Sequence, residues 1–217
     1  MPNTPAEIGP GEFYPVVGVG PHPQPWPEGD QYDPELLENG DRRNVLDKYR
    51  YWKVSAIVED LNTQRHGLQI AIENWQHDLN IGSIVRTANA FNVSAVHIVA
   101  KRDWTRRGAM VTDRYQHVRH HADAAQFGQW AQRNHLPVIA IDNLPGAVPL
   151  ETYDLPRECV LLFGQEGAGL SAEASAIAQA CLSIAQFGST RSINAGAAAA
   201  IAMHAWIRRH QFHQESR

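Results

Sequence analysis

The sequence predicts an α/β fold, a mostly parallel sheet with helices on both faces, and three observations predict it. Short apolar runs recur after residue 67, at Leu68 to Ile72, Ala95 to Val99, Val138 to Ile141, Val160 to Phe163 and Leu182 to Ile184. Near-continuous apolar runs of this length suit strands buried on both faces. Segments of helical spacing lie between them, and glycine-bearing turns carry two of the strands into the helices that follow.

The elements follow in order. Nine of the 13 prolines lie before residue 35, and Gly-Pro and Pro-x-Pro steps join neither a helix nor a sheet ladder. Residues 1–33 therefore read as an extended or disordered arm, and residues 34–66 as a helical N-terminal extension. Within the extension the spacing predicts a helix over 44–62, with Asn44 as its N-cap and Val45, Leu46, Tyr49, Trp52, Ala56, Ile57 and Leu61 as its apolar face. Arg42, Arg43, Lys48, Arg50 and Lys53 make this stretch basic, either as a solvated face or as an RNA-gripping appendage. Residues 67–217 form the α/β domain. Its helices are predicted at 80–91, 123–134, 171–180 and from about Ser192 to Arg209.

Composition narrows the class. A chain of 217 residues with 43% hydrophobic content supports one compact domain with an appendage. A net charge of -4 gives no whole-chain signature of a nucleic-acid binder, although a local basic strip can still meet phosphates. The two cysteines, Cys159 and Cys181, sit in no CxxC pair and read as small buried residues, so neither a disulfide framework nor a zinc site is indicated. No apolar run is long enough to span a bilayer, and the N-terminus lacks the pattern of a signal peptide. A cytoplasmic setting is the expectation.

Chemistry is expected at three places. The first, Asn80-Ile81-Gly82-Ser83-Ile84-Val85-Arg86, opens the first helix of the domain. Ile81, Ile84, Val85 and Ala88 form its apolar stripe, and Arg86 falls roughly opposite. Periodicity alone does not separate Arg86 from a solvated arginine, or Asn80 from a plain cap. The second, Phe163-Gly164-Gln165-Glu166-Gly167-Ala168-Gly169-Leu170-Ser171, turns from a strand into a helix. Ligands in open α/β sheets bind beyond the carboxyl ends of strands, where glycines allow close backbone approach. Its spacing is GxxGxG with no P-loop lysine, so it gives little support for a nucleotide phosphate site; a tight turn with Ser171 as N-cap is equally consistent. The third, Gln186 to Gly196, leads into an alanine-rich helix for which Ser192 is a candidate cap and Asn194 a first-turn residue.

Taken together, in this order and at these separations, the three stretches resemble the three motifs of the SpoU (TrmH-like) family of the SPOUT superfamily. Asn80, Gly82 and Arg86 match the first motif; Gly164, Glu166, Gly169 and Leu170 the second; Ser192, Ile193 and Asn194 the third. The resemblance covers roughly residues 67–208. Asn92 stands where the family usually has glycine, Ala185 where it often has proline, and Ile193 where it has leucine. Asparagine tolerates the left-handed conformation, so the first departure is mild.

The resemblance implies a C-terminal trefoil knot, a rarity among proteins, with the second and third motif loops tucked together as a pocket for S-adenosylmethionine. It implies transfer of a methyl group to a ribose 2′-hydroxyl of RNA, with tRNA as the leading substrate and rRNA the second. Gly164, Gly167, Gly169 and Gly188 would present backbone to the cofactor. Leu162, Phe163, Ile184 and Ile193 would border the adenine, with Glu166, Leu170, Gln186 and Asn194 completing the cofactor set. Among catalytic residues, Arg86 would grip the phosphate beside the ribose or help activate its hydroxyl. Asn80 would orient Arg86 or the ribose, Glu166 would anchor the second-motif loop, and Ser192 and Asn194 would hold the hydroxyl or the third-motif loop. The family is homodimeric, with the site near the interface.

RNA contacts are expected at Lys101, Arg102, Arg106, Arg107, Arg114 and Arg119, which lie among Trp104 and several histidines. A bare basic surface loop is the plainer reading. The histidines lack an acidic or cysteine partner, so no metal is expected, and no membrane. Three rivals are a base-methylating enzyme of the same superfamily, a non-catalytic RNA-binding protein on the same fold, and a nucleotide-dependent dehydrogenase. Ser192-x-Asn194 argues against the first, retention of Arg86 and Glu166 against the second, and the missing glycine fingerprint after the first strand against the third.

Overall fold

The computed structural model describes residues 18–74, 80–165 and 168–212. Two compact units divide the chain, residues 1–60 and 61–217.

In the first unit the described part of the arm is extended and pinned: Val19 and Asp41 exchange two backbone hydrogen bonds of 2.9 Å. Helix α1 (Pro34–Asn39) begins where Asp33 accepts from the Glu35 amide, with Pro34 in the first turn, where its missing N–H costs nothing. The helix predicted over 44–62 is broken. A 3-10 turn covers Asp47–Tyr49, Tyr51 has φ 63°, and α2 (Val54–Asn62) starts only afterwards. The cause lies upstream. The carboxylate of Asp41, fully buried, accepts from the Tyr51 amide at 3.0 Å and from the Arg43 amide, Nε and Nη2 at 3.0, 2.8 and 2.6 Å. Burial alone would raise this pKa, but those donors outweigh it and hold the carboxyl at about 2. Part of the basic character is taken up internally: Arg50 donates to the Arg43 carbonyl at 2.6 Å, and Lys48 pairs with Asp60 at 2.9 Å, while Arg42 and Lys53 stay exposed.

The second unit is an α/β layer structure. Its elements are β1 (His66–Asn74), α3 (Asn80–Ala90), β2 (Val93–Ala100), β3 (Val118–His121), α4 (Ala124–Arg133), β4 (Val138–Ile141), β5 (Val148–Pro149), β6 (Cys159–Phe163), α5 (Ala172–Ile177), β7 (Ala180–Ser183) and α6 (Ala195–Gln211). The sheet order is β3-β2-β1-β6-β4-β7-β5, and neighbouring strands pair in parallel. Strand parity distributes the core. Leu68, Ile70, Ile72, Ile98, Leu161 and Phe163 pack against α3 and α6, whereas Ala71, Val99, Val160 and Leu162 pack against α4 and α5. Helices thus cover both faces, as the apolar strands predicted.

Differences from the predicted elements are local. Helix α5 stops at Ile177 instead of reaching 180, because residues 180–183 are needed as β7. The stretch 118–121, read as surface loop, is the edge strand β3. Asn92 takes φ 46°, the left-handed geometry that its replacement of glycine anticipated. Cys159 is buried in β6, and burial pushes its thiol up to about 12.

Candidate active site

A cleft of about 390 Å³ opens at the carboxyl ends of β4, β6 and β7, against the start of α6. This is where open α/β sheets place ligands. Three turns build it, and their backbones are tied to one another by side chains that the motifs did not name.

The turn after β6 closes on itself. Gln165 and Gly169 exchange backbone hydrogen bonds of 3.2 and 3.1 Å, and Gly169 sits at φ 72°. A Cβ on Gly164 would stand 2.2 Å from the Gly169 carbonyl carbon, so only glycine allows the turn. Ser171 caps α5, its Oγ accepting from the Ala174 amide at 3.0 Å. The Ser171 amide and hydroxyl in turn donate to the carboxylate of Glu73, both at 2.7 Å. Glu73 is fully buried at the end of β1, so a strand on one side of β6 anchors the helix that follows it.

The turn after β4 clasps the other two. Asp142 Oδ2 accepts from the Leu170 amide at 2.9 Å, and Asn143 Nδ2 donates to the Arg191 carbonyl at 3.0 Å. Asp142, Asn143, Ile141, Gln165, Ala195 and Ala198 line the cleft but were not read from the sequence as site residues. The available signal was position: Asp142 and Asn143 directly follow an apolar strand, at its ligand-binding end.

The predicted cofactor residues divide. Phe163, Gly164, Gly169, Ile184, Gln186, Ile193 and Asn194 line the cleft, together with Ser192. Leu162 does not: parity turns it to the opposite face, into the core under α4 and α5. Leu170 reaches the site through its amide on Asp142. Gly188 is exposed, with nothing within 4 Å of an added Cβ. Glu166 and Gly167 lie outside the described residues.

The first and third motifs meet directly. Asn194, not Ser192, is the N-cap of α6, its Oδ1 accepting from the Ala197 amide at 3.1 Å. The same side chain donates from Nδ2 to Asn80 Oδ1 at 3.0 Å. A Cβ on Gly196 would lie 2.8 Å from Ser83 Oγ, so α3 and α6 touch along this line. Arg86 stands exposed on α3, opposite the buried Ile81, Ile84, Val85 and Ala88.

The six cations expected to meet RNA, Lys101, Arg102, Arg106, Arg107, Arg114 and Arg119, are all exposed. The Arg106 guanidinium lies over the Trp104 ring at 5.7 Å, and that of Arg119 over Trp130 at 5.6 Å. Two of the neighbouring histidines have a different place. His97 Nδ1 and His121 Nε2 are 2.9 Å apart in the interior, beside Phe127 and Trp130. Burial first, then the charges of His121 and Arg119, push His97 down to about 3.

A parallel sheet with both faces covered, and turns clasped over a cleft at its carboxyl ends, defines an α/β protein of the doubly wound class with a small-molecule site. The chain belongs to the SpoU rRNA methylase family, whose model matches residues 67–204. It is 25% identical to a tRNA (guanosine(18)-2′-O)-methyltransferase of Borreliella burgdorferi, over 77% of this chain and 79% of that protein. Among solved structures, an AdoMet-bound rRNA methyltransferase from Sinorhizobium meliloti is 28% identical with a TM-score of 0.59, over 70% of this chain and 60% of that one. A structure described as giving insights into 2-OH methylation of C/U34 on tRNA is 25% identical with a TM-score of 0.59, over 66% of this chain and 96% of that one. The chain thus spans about three fifths of the Sinorhizobium enzyme and nearly all of the last.

Proposed function

We propose that the protein is an S-adenosylmethionine-dependent methyltransferase acting on a ribose 2′-hydroxyl of tRNA. The observation that carries this reading is the Asn194 to Asn80 hydrogen bond, 3.0 Å, which joins the helix bearing Arg86 to the rim of the cleft.

The cleft fits the cofactor. Ile141, Phe163, Ile184 and Ile193 offer apolar walls for a flat heterocycle. Gln186 Oε1 is buried there without a partner among the described residues, an acceptor open to an adenine amino group. The backbone of Gly164 and Gly169 lines the opening with no side chain in the way. When bound, S-adenosylmethionine supplies a methyl group on an electrophilic sulfonium.

The chain's own residues do the rest. Arg86, exposed and positively charged, holds the phosphate next to the target ribose and fixes the hydroxyl in line for attack. It does not take the proton, because a guanidinium stays charged at any working pH; the proton passes to the neighbouring phosphate. Asn80 and Asn194 keep α3 in register with the cleft, and Ser192 on its rim approaches the hydroxyl. The exposed strip from Lys101 to Arg119 meets further phosphates.

The relatives support tRNA over rRNA, since two of the three named above concern tRNA; their target nucleotides differ, so the position is left to experiment. The protein is a homodimer in this reading, with a partner covering the face that carries Arg86. The C-terminal half is knotted in this reading, with the segment between β7 and α6 held to the turn after β4 by the hydrogen bond from Asn143 to the Arg191 carbonyl. No helix among the described residues is long and apolar enough to cross a membrane, and a cytoplasmic setting suits a tRNA substrate.

The test is incubation with unmodified tRNA and methyl-labelled S-adenosylmethionine, followed by digestion to nucleosides. Label on ribose 2′-oxygen is expected. Label on a base would make it a base methyltransferase, and binding without transfer a non-catalytic RNA-binding protein.

A further inference from the structure

A second cleft, about 380 Å³, lies between the segment after β2 and the edge strand β3, and shares no lining residue with the first. Its wall is a planar cation held from two sides. The Arg106 guanidinium lies 5.7 Å from the Trp104 ring centroid, and its Nη1 is 3.3 Å from Asp113 Oδ2. Arg102, exposed, also lines it, and among the described residues no carboxylate pairs with it. In a chain of net charge -4, a cation left without a counter-charge is available to an external anion.

The cleft is also keyed to the helix of Arg86. A Cβ on Gly82 of α3 would lie 2.9 Å from Gly108 Cα, in the 3-10 turn Arg106–Ala109. That contact leaves no slack between the two elements, so whatever occupies the second cleft has a set distance from Arg86. Asp103 and Asp113 line the cleft as well. Two carboxylates disfavour a bare polyanion along its length and favour an uncharged group inside with an anionic group at the arginine rim.

We propose that this cleft takes an unstacked nucleotide of the RNA substrate, distinct from the one methylated. Its base lies on the Arg106 guanidinium, and its phosphate meets Arg102. A planar guanidinium offers a stacking face that an ammonium lacks. The reading rests on the proposed RNA substrate, and the test separates the two.

Binding of an unmodified tRNA transcript to the full chain is measured by filter retention across a series of salt concentrations, with S-adenosylmethionine affinity measured in parallel. Arg106→Lys keeps the charge and removes the plane; affinity should fall about tenfold with the salt dependence unchanged. Arg102→Ala should instead flatten the slope of log affinity against log salt by about one. Cofactor affinity should be unchanged in both. Wild-type binding by Arg106→Lys, or an unchanged slope in Arg102→Ala, overturns the inference. If those results came with normal methylation by the wild type, only this inference would fail; if the wild type bound no RNA, the functional reading would fall with it.

Discussion

The side-chain amide of Asn194 serves two helices at once: Oδ1 accepts from the Ala197 amide at 3.1 Å to cap α6, and Nδ2 donates to Asn80 Oδ1 on α3 at 3.0 Å. The two roles can be separated. Asn194→Asp keeps an acceptor at a helix N-terminus but sets an oxygen against Asn80 Oδ1. Melting temperature should hold while methyl transfer falls at least tenfold. Asn194→Ala should lose both, with about 1 kcal/mol of stability gone with the cap. Thermal melts beside turnover measurements check this, and equal turnover in wild type and Asn194→Asp would remove Asn80 from the mechanism.

Asp142 braces the second-motif turn by accepting from the Leu170 amide at 2.9 Å. Asp142→Ala should weaken S-adenosylmethionine binding about tenfold, since a turn that must be ordered by its ligand draws on binding energy. Asp142→Asn retains an acceptor oxygen and should lose less. Equilibrium dialysis measures both; cofactor affinity in Asp142→Ala equal to wild type would show that the turn needs no brace.

Gly164→Ala places a methyl 2.2 Å from the Gly169 carbonyl carbon and 2.3 Å from the Leu170 nitrogen. Backbone cannot yield that far without opening the Gln165 to Gly169 pair. Cofactor binding should be abolished and stability reduced by a few kcal/mol, on the order of other overpacking substitutions. A variant that still binds cofactor would mean the turn has a second conformation.

Arg86 is exposed and contributes nothing to the core, so Arg86→Ala should leave the melting temperature within about a degree, as for other surface changes. Methyl transfer should be abolished with cofactor affinity nearly intact. Activity within a few-fold of wild type would rule out phosphate gripping by this residue as the rate-setting interaction.

Acid should destabilise the fold through His97. Burial holds it neutral to about pH 3 in the folded state, against about 6.5 in the unfolded chain. Between those values the unfolded state binds the additional proton, so stability rises with pH. The contribution is complete above about 6.5 and is lost as pH falls toward 3, at up to about 1.4 kcal/mol per pH unit. Denaturation midpoints at pH 7, 6 and 5 should fall steadily in the wild type and less steeply in His97→Gln; parallel slopes would assign the acid sensitivity elsewhere.

Much of the site was legible because its residues act through local chemistry. Gly164 and Gly169 announce a turn, Ser171 a helix start, and Asn80 to Arg86 an amphipathic helix with one cation away from the core. Asp142 and Asn143 carry no such signal. Their partners, Leu170 and Arg191, are 28 and 48 residues away in sequence, and they meet only because β4 lies between β6 and β7. Leu162 was assigned to the cofactor through the family resemblance, yet alternation along β6 turns it to the other face. The helix read over 44–62 failed for the same kind of reason, since its spacing is sound but Asp41 takes the amide of Tyr51.

From the sequence alone came the alternation of strands and helices and the mostly parallel sheet, because periodicity and turn chemistry are properties of a few consecutive residues; the family came from the resemblance of three separated motifs taken in order. The tertiary structure decided which loops share a cleft, which face each strand residue serves, and which charges are spent inside the protein. Those outcomes depend on pairing between distant segments, and a one-dimensional pattern holds no record of who becomes whose neighbour.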